Sequence, residues 1–168
     1  EISNSDAITM AKNLNIKYHI ISIETLHDLY TKTMTPFFPN NQHDTADENI
    51  QARIRGNILM YHSNKNGKIV LTTGNKSELA VGYCTLYGDM SGGFSVLKDI
   101  LKTDVYKLAE YRNSLSTCIP ENIITRPPSA ELKEDQTDQD TLPPYSVLDT
   151  IIDNYVNPNT HTINHTYE

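Results

Sequence analysis

The densest run of chemically able side chains is Thr72-Thr73-Gly74-Asn75-Lys76-Ser77-Glu78. It follows directly on Ile69-Val70-Leu71, an apolar run rich in β-branched residues that predicts a short buried strand. The Thr/Gly turn then predicts a helix from Asn75 to Cys84. A strand that feeds a helix in this way offers hydroxyls, backbone N–H groups and a helix N-terminus at one sheet edge. Open α/β proteins bind phosphate-bearing ligands at such an edge. A plainer role competes with that one. Asn75 and Glu78 have the spacing of a helix N-cap and its N3 acid, so each can simply satisfy the other's end of the helix.

Two other places carry charge at telling positions. Lys102 lies just ahead of a predicted helix that Thr103 can cap and whose apolar face is Val105, Leu108 and Ala109. A lysine there faces the positive end of the helix dipole, at a cost of a few tenths to ~1 kcal/mol, unless an anion sits between them. The plain alternative is a mobile surface lysine. Asn49, Arg53 and Asn57 recur at i, i+4, i+8 beside the apolar face Ile50, Ile54, Ile58 and Tyr61. Their helix is predicted to begin with a Thr45–Glu48 capping box and to reach about Tyr61. Such a stripe is ordinarily a solvated face. Gly56 in mid-helix costs ~1 kcal/mol relative to Ala and suits close approach by another helix. Gly92-Gly93 is a weak phosphate-loop signal, because no Lys follows at the required spacing, and Gly88 to Phe94 is predicted to be loop.

The elements that must position these groups read as alternating helix and strand. Ser5 caps a first helix with Ala7, Ala11 and Leu14 on one face. Tyr18 to Ile23 predicts a strand, and Thr25 opens a short helix carrying Leu26, Leu29 and Tyr30. Pro36 to Asp44 predicts a loop. Ile119 to Pro128 reads as an extended connector, and Glu131 to Asp140 as a solvated acidic loop. Pro143-Pro144 then starts a helix with Leu148, Ile151, Ile152 and Tyr155 inward. The order implies an α/β fold with a doubly wound parallel sheet, entered partway through a unit. Residues 157–168 form a polar tail expected to be disordered, where Pro158 argues against His161 and His165 pairing on a metal.

The 168 residues suit one domain, and a net charge of −7 argues against a general nucleic-acid binder. It leaves room for a phosphate ligand, for which Arg53, Arg55 and Lys102 are the local cations. No apolar run reaches membrane-spanning length. Cys84 and Cys118 have neither metal-ligand spacing nor a disulfide framework, which fits a reduced cytoplasmic setting. The N-x-S/T matches at Asn75 and Asn164 are then chance.

Taken as words, Thr72-Thr73-Gly74-Asn75-Lys76-Ser77-Glu78-Leu79-Ala80-Val81-Gly82-Tyr83 and Leu86-Tyr87-Gly88-Asp89-Met90-Ser91-Gly92-Gly93-Phe94 resemble the NAD synthetase family, in its glutamine-dependent form. The resemblance takes in Glu48 to Gly56, Leu97-Lys98-Asp99 with Lys102-Thr103, Arg126 to Leu132, Asp138-Gln139-Asp140 and Leu142 to Tyr145. It implies a Rossmann-like sheet of the adenine nucleotide alpha-hydrolase (N-type ATP pyrophosphatase) type, incomplete at its N-terminus and spanning residues 1–156. The implied reaction is ATP-dependent amidation of deamido-NAD to NAD+ through an adenylated intermediate, with Mg2+, and with ammonia from glutamine or free.

Carried over residue by residue, the resemblance implies ATP contacts for Thr73, Lys102 and Ser129. It implies deamido-NAD contacts for Asn49 and Arg53, and for Glu78 either Mg2+ or deamido-NAD. It puts the helix of Asn49 at a subunit interface, hence a homodimer or higher homo-oligomer, with a glutaminase domain or subunit as an ammonia source and no nucleic acid or membrane as partner. The Gly88 to Phe94 run would shape the dinucleotide pocket, and Glu131 to Asp140 would order over the site. There are departures. The family's Ser-Gly-Gly-x-Asp-Ser loop, which bears the other Mg2+ ligand and belongs ahead of Glu1, is not in the sequence. A basic segment beyond the last helix is also missing, and Leu86 stands where ammonia-dependent relatives carry Lys. The expectation is an internal piece or degenerate copy of the synthetase domain, unable to make NAD alone. The rivals are a non-catalytic dimerisation or ligand-binding remnant and another amidotransferase of the superfamily, of the GMP-synthetase kind.

Overall fold

A computed structural model describes residues 2–39, 44–133 and 135–156. Among them the order is α1 (Ile2–Asn13), α2 (Glu24–Met34), α3 (Thr45–Asn66), β1 (Leu71–Thr72), α4 (Lys76–Ala80), β2 (Phe94–Ser95), α5 (Lys102–Leu115), α6 (Glu121–Thr125) and α7 (Tyr145–Val156). Single 3-10 turns lie at Thr35–Phe37 and Asp138–Asp140. The class is α/β, as the sequence implies. The two strands pair in parallel, with Leu71 opposite Phe94 and Thr72 opposite Ser95, and α4 lies in the crossover between them.

The buried centre is built on α7. Its Tyr145, Leu148 and Ile152 fall at i, i+3, i+7 and are all buried, with Leu101 and Leu142 packed on them. Helices α4, α5 and α7 pack against one another, α6 bridges α5 to α1, and α2 lies on α3. No described helix is long and apolar enough to cross a membrane.

Several local expectations shift. The α3 capping box is Asp44 with Asp47, one residue earlier than Thr45 with Glu48. A carboxylate cap accepts more strongly than a threonine hydroxyl. Ser5 lies inside α1, not at its cap, and only Ala11 of the predicted apolar face is buried. Tyr18 to Ile23 forms no strand. Nothing among the described residues pairs with it, and Tyr18, Ile20 and Ile21 are exposed. The predicted strand 69–71 narrows to Leu71–Thr72, and α4 stops at Ala80 well short of Cys84.

Further along, Thr103 does not cap α5, whose N-cap is Leu101. Pro120, with φ already near −54°, starts a short helix inside the segment read as an extended connector. In α7, Leu148 and Ile152 are inward, but Ile151 and Tyr155 are exposed. The tail with His161 and His165 lies outside the described residues.

Gly56 meets a loop rather than another helix. A Cβ there would lie 2.8 Å from Ser91 Oγ and 2.9 Å from the Gly88 carbonyl oxygen, and one on Gly88 would lie 2.9 Å from Ala52 Cβ. Helix α3 and the loop after α4 therefore touch backbone to backbone. Gly56→Ala gains about 1 kcal/mol of helix propensity but overpacks a rigid contact at about 1–3 kcal/mol. The variant is expected to unfold at lower urea than the wild type. Gly74→Ala, whose nearest neighbour would be at 3.8 Å, should match the wild type in the same titration.

Candidate functional site

At the end of β1, Thr72 is buried and Thr73 is exposed. Asn75 then caps α4 as its spacing predicts: its side-chain oxygen accepts the Glu78 N–H at 3.0 Å, and Glu78 Oε2 accepts the Asn75 N–H at 3.2 Å. That uses one carboxylate oxygen of Glu78. The other, Oε1, accepts from Lys102 Nζ at 3.1 Å, with both side chains about four-fifths covered. The Lys102 ammonium also lies 5.4 Å from the ring centre of Tyr145 and 5.9 Å from that of Tyr106.

Lys102 is held at its backbone too. The first N–H groups of a helix need acceptors, and the N-cap residue Leu101 has no polar side chain to supply one. Acceptors come from other helices. The Lys102 N–H donates to Ser77 Oγ at 2.8 Å, and the Thr103 N–H donates to Asp149 Oδ2 at 2.8 Å. The Ser77 hydroxyl in turn donates to Asp149 Oδ1. Ser77 is wholly buried and Asp149 is 4% exposed. Two protein carboxylates, Asp149 at the helix end and Glu78 at the ammonium, thus settle the dipole conflict, for which the sequence left a bound anion or a mobile surface lysine open.

Behind the Tyr145 ring lies a second buried acid. The Tyr145 hydroxyl donates to Asp138 Oδ2 at 2.7 Å. Asp138 is 3% exposed, and its Oδ1 has no hydrogen-bond partner among the described residues. Burial, and then the Asp138 charge, pushes the Tyr83 hydroxyl up to about 12. Burial and the bond to Asp138 raise Tyr145 as well. The segment 131–140 is therefore not simply a solvated acidic loop, because Asp138 is packed inside. The Asp138 N–H reaches the Pro128 carbonyl at 2.9 Å and anchors the chain that carries Ser129. The Ser129 hydroxyl itself accepts the Glu131 N–H at 3.0 Å.

A third group faces α3. The Thr85 hydroxyl donates to Asn49 Oδ1 at 2.7 Å, and Arg53 Nε donates to the Leu86 carbonyl at 3.2 Å. Asp89 accepts the Thr85 N–H with both oxygens, at 3.0 and 3.1 Å. Burial is the largest cause raising Asp89, and the charge of Glu78 adds to it. The Glu78 charge is also felt at Cys84, whose thiol is raised first by burial and then by Asp89.

Of the sequence-derived candidates, Glu78 and Lys102 meet directly, and Asn49 and Arg53 meet one turn. Ser129 connects to Lys102 through Pro128, Asp138 and Tyr145. Thr73 stands exposed, with no side-chain hydrogen bond among the described residues. Ser77, Asp138 and Tyr145 lie in stretches quoted from the sequence but were given no role there, and Asp149 and Thr85 were given none either. One signal was present: Asp149 shares the apolar stripe Tyr145, Leu148, Ile152, where a carboxylate must find donors.

Comparison with known proteins bears on this arrangement. A family model described as NAD synthase matches residues 1–167. The glutamine-dependent NAD(+) synthetase of Acinetobacter baylyi is 55% identical over 158 residues, covering 93% of this chain and 29% of the relative. That of Aquifex aeolicus is 54% identical over 157 residues, covering 94% and 28%. The chain thus spans under a third of the length of the curated relatives it matches. Among solved structures, the glutamine-dependent NAD+ synthetase from Acinetobacter baumannii in complex with ADP superposes with a TM-score of 0.74 at 49% identity, covering 92% of this chain and 27% of that one. The NMN synthetase from Francisella tularensis superposes with a TM-score of 0.81 at 28% identity, covering 90% and 60%.

Removing the buried acid tests the junction. Asp149→Ala leaves the Thr103 N–H and the Ser77 hydroxyl without an acceptor, at about 1–3 kcal/mol for each buried group. It is expected to cost about 3 kcal/mol in urea denaturation. Asp149→Asn, which keeps one acceptor oxygen, should cost less.

Proposed function

The chain belongs to the NAD synthase family, and from that premise we propose that it forms part of an enzyme that amidates deamido-NAD to NAD+ at the expense of ATP. In the first step a nicotinate carboxylate oxygen attacks the α-phosphorus of ATP, and the bond to pyrophosphate breaks. In the second, ammonia, free or released from glutamine, attacks the acyl carbon, loses a proton and expels AMP. Such chemistry asks for orientation of two anions and neutralisation of phosphate charge more than for side-chain acid–base work.

The observation that carries the reading is the Glu78–Lys102 pair at the head of α5, a cation and an anion held close by a built junction. In this reading Lys102 Nζ leaves Glu78 for an ATP phosphate. Thr73, exposed at the end of β1, and Ser129 add hydroxyls to the same nucleotide. Asn49 and Arg53 receive deamido-NAD. Glu78 already faces a positive group, which fits a carboxylate that would hold Mg2+. Among the described residues no three His, Cys, Asp or Glu converge as a complete metal cage. When bound there, Mg2+ would neutralise charge on the phosphates. The reading treats residues 1–156 as one synthetase domain.

The oligomer contact fits the α2/α3 side. There Leu26, Leu29, Tyr30, Ile58 and Tyr61 line an apolar groove of about 700 Å³. The alternative is a non-catalytic ligand-binding remnant of such an enzyme.

The test is deamido-NAD-dependent exchange of labelled pyrophosphate into ATP, measured on the whole protein. Lys102→Met is expected to lower exchange by about 100-fold. Unchanged exchange in that variant would remove Lys102 from the reaction. Deamido-NAD binding without any exchange in the wild type would favour the remnant.

A further inference from the structure

Asn49 and Arg53 are both held by the turn that follows α4. An asparagine amide offers an acceptor at one end and two donors at the other. The Thr85 hydroxyl donates to the acceptor end at 2.7 Å, and Asn49 Nδ2 has no partner among the described residues. Arg53 spends only Nε, on the Leu86 carbonyl at 3.2 Å. Its two terminal nitrogens are likewise unpartnered among the described residues.

The turn itself is fixed. Thr85 is 5% exposed, and its N–H is gripped by both oxygens of Asp89. The Gly88 carbonyl is pressed against Gly56, one α3 turn beyond Arg53.

We infer that Thr85 and the Leu86 carbonyl are positioning groups, which turn Asn49 and Arg53 into a matched set of unspent donors for an acceptor-rich anion. This rests on the function proposed above and names the anion as the dinucleotide acid. The guanidinium fork remaining to Arg53 suits a carboxylate or phosphate in bidentate fashion. Leu86 contributes its backbone here, so the side chain at that position is not what holds Arg53. Thr85 touches no substrate in this account and acts only through Asn49.

Calorimetric titration of the whole protein with deamido-NAD tests this, with ATP titrated in parallel. Thr85→Val deletes the hydroxyl and is expected to weaken deamido-NAD binding about tenfold while ATP binding holds. Thr85→Ser should restore binding to within about twofold. In an Asn49→Ala background the same Thr85→Val change should add nothing, since its effect runs through Asn49. If the valine variant does not fold, Thr85→Ala takes its place in the cycle. Equal binding by wild type and Thr85→Val, or additive losses in the cycle, would overturn the inference. A wild type that binds no deamido-NAD would instead remove the functional reading, and the inference with it.

Discussion

A buried carboxylate needs donors, and Asp149 finds them on two other helices. The side chain lies on the apolar stripe of α7, accepts the Thr103 N–H at the head of α5 and accepts the hydroxyl of Ser77 from α4. Ser77 closes the circuit by accepting the Lys102 N–H. Because Leu101 has no polar side chain, the head of α5 depends on these borrowed acceptors. Three helices are thereby locked at one point, and the point lies beside Lys102. The position of its ammonium over Tyr145, and of Glu78 against it, follows from that lock.

The same logic operates on the α3 side with smaller groups. Gly56 and Gly88 allow a backbone contact that any larger residue would open. That contact puts Thr85 and Leu86 within hydrogen-bond reach of Asn49 and Arg53. Glu78 stands near both systems, paired with Lys102 on one side and raising Asp89 through its charge on the other. Lys102 thus pairs with Glu78, while Asn49 and Arg53 are held by the turn that Asp89 braces. In the function proposed above, each group would meet one of two anionic substrates.

Some features fixed by neighbours in sequence were legible and others were not, such as the α3 cap, which lies at Asp44 and not Thr45; features fixed by distant partners were not legible. The Asn75–Glu78 box closes within one helical turn and appears as expected. The α/β class holds, with β1 and β2 paired in parallel, although the alternation it was read from counted Tyr18 to Ile23 as a strand. Tyr18 to Ile23 has a strand's composition, but a strand exists only with a partner, and partners are non-local. Asp138 looked solvated because its neighbours are acidic and polar, while its burial depends on a tertiary bond to Tyr145. Lys102 was singled out for its dipole conflict, and it stands at the first position of α5. The anions that resolve it, Asp149 and Glu78, come from elsewhere in the chain. Thr85 offered no local signal at all, since its partner Asn49 lies a helix away in sequence.

We propose that the Lys102–Glu78 pair is the resting form of a phosphate-binding ledge. It is tested most directly by a crystal structure of the whole protein with a non-hydrolysable ATP analogue and Mg2+. Lys102 Nζ should then lie within hydrogen-bond distance of a phosphate oxygen and parted from Glu78, with Ser77 and Asp149 still capping α5. A nucleotide bound elsewhere, with Lys102 still paired to Glu78 at about 3.1 Å, would contradict it.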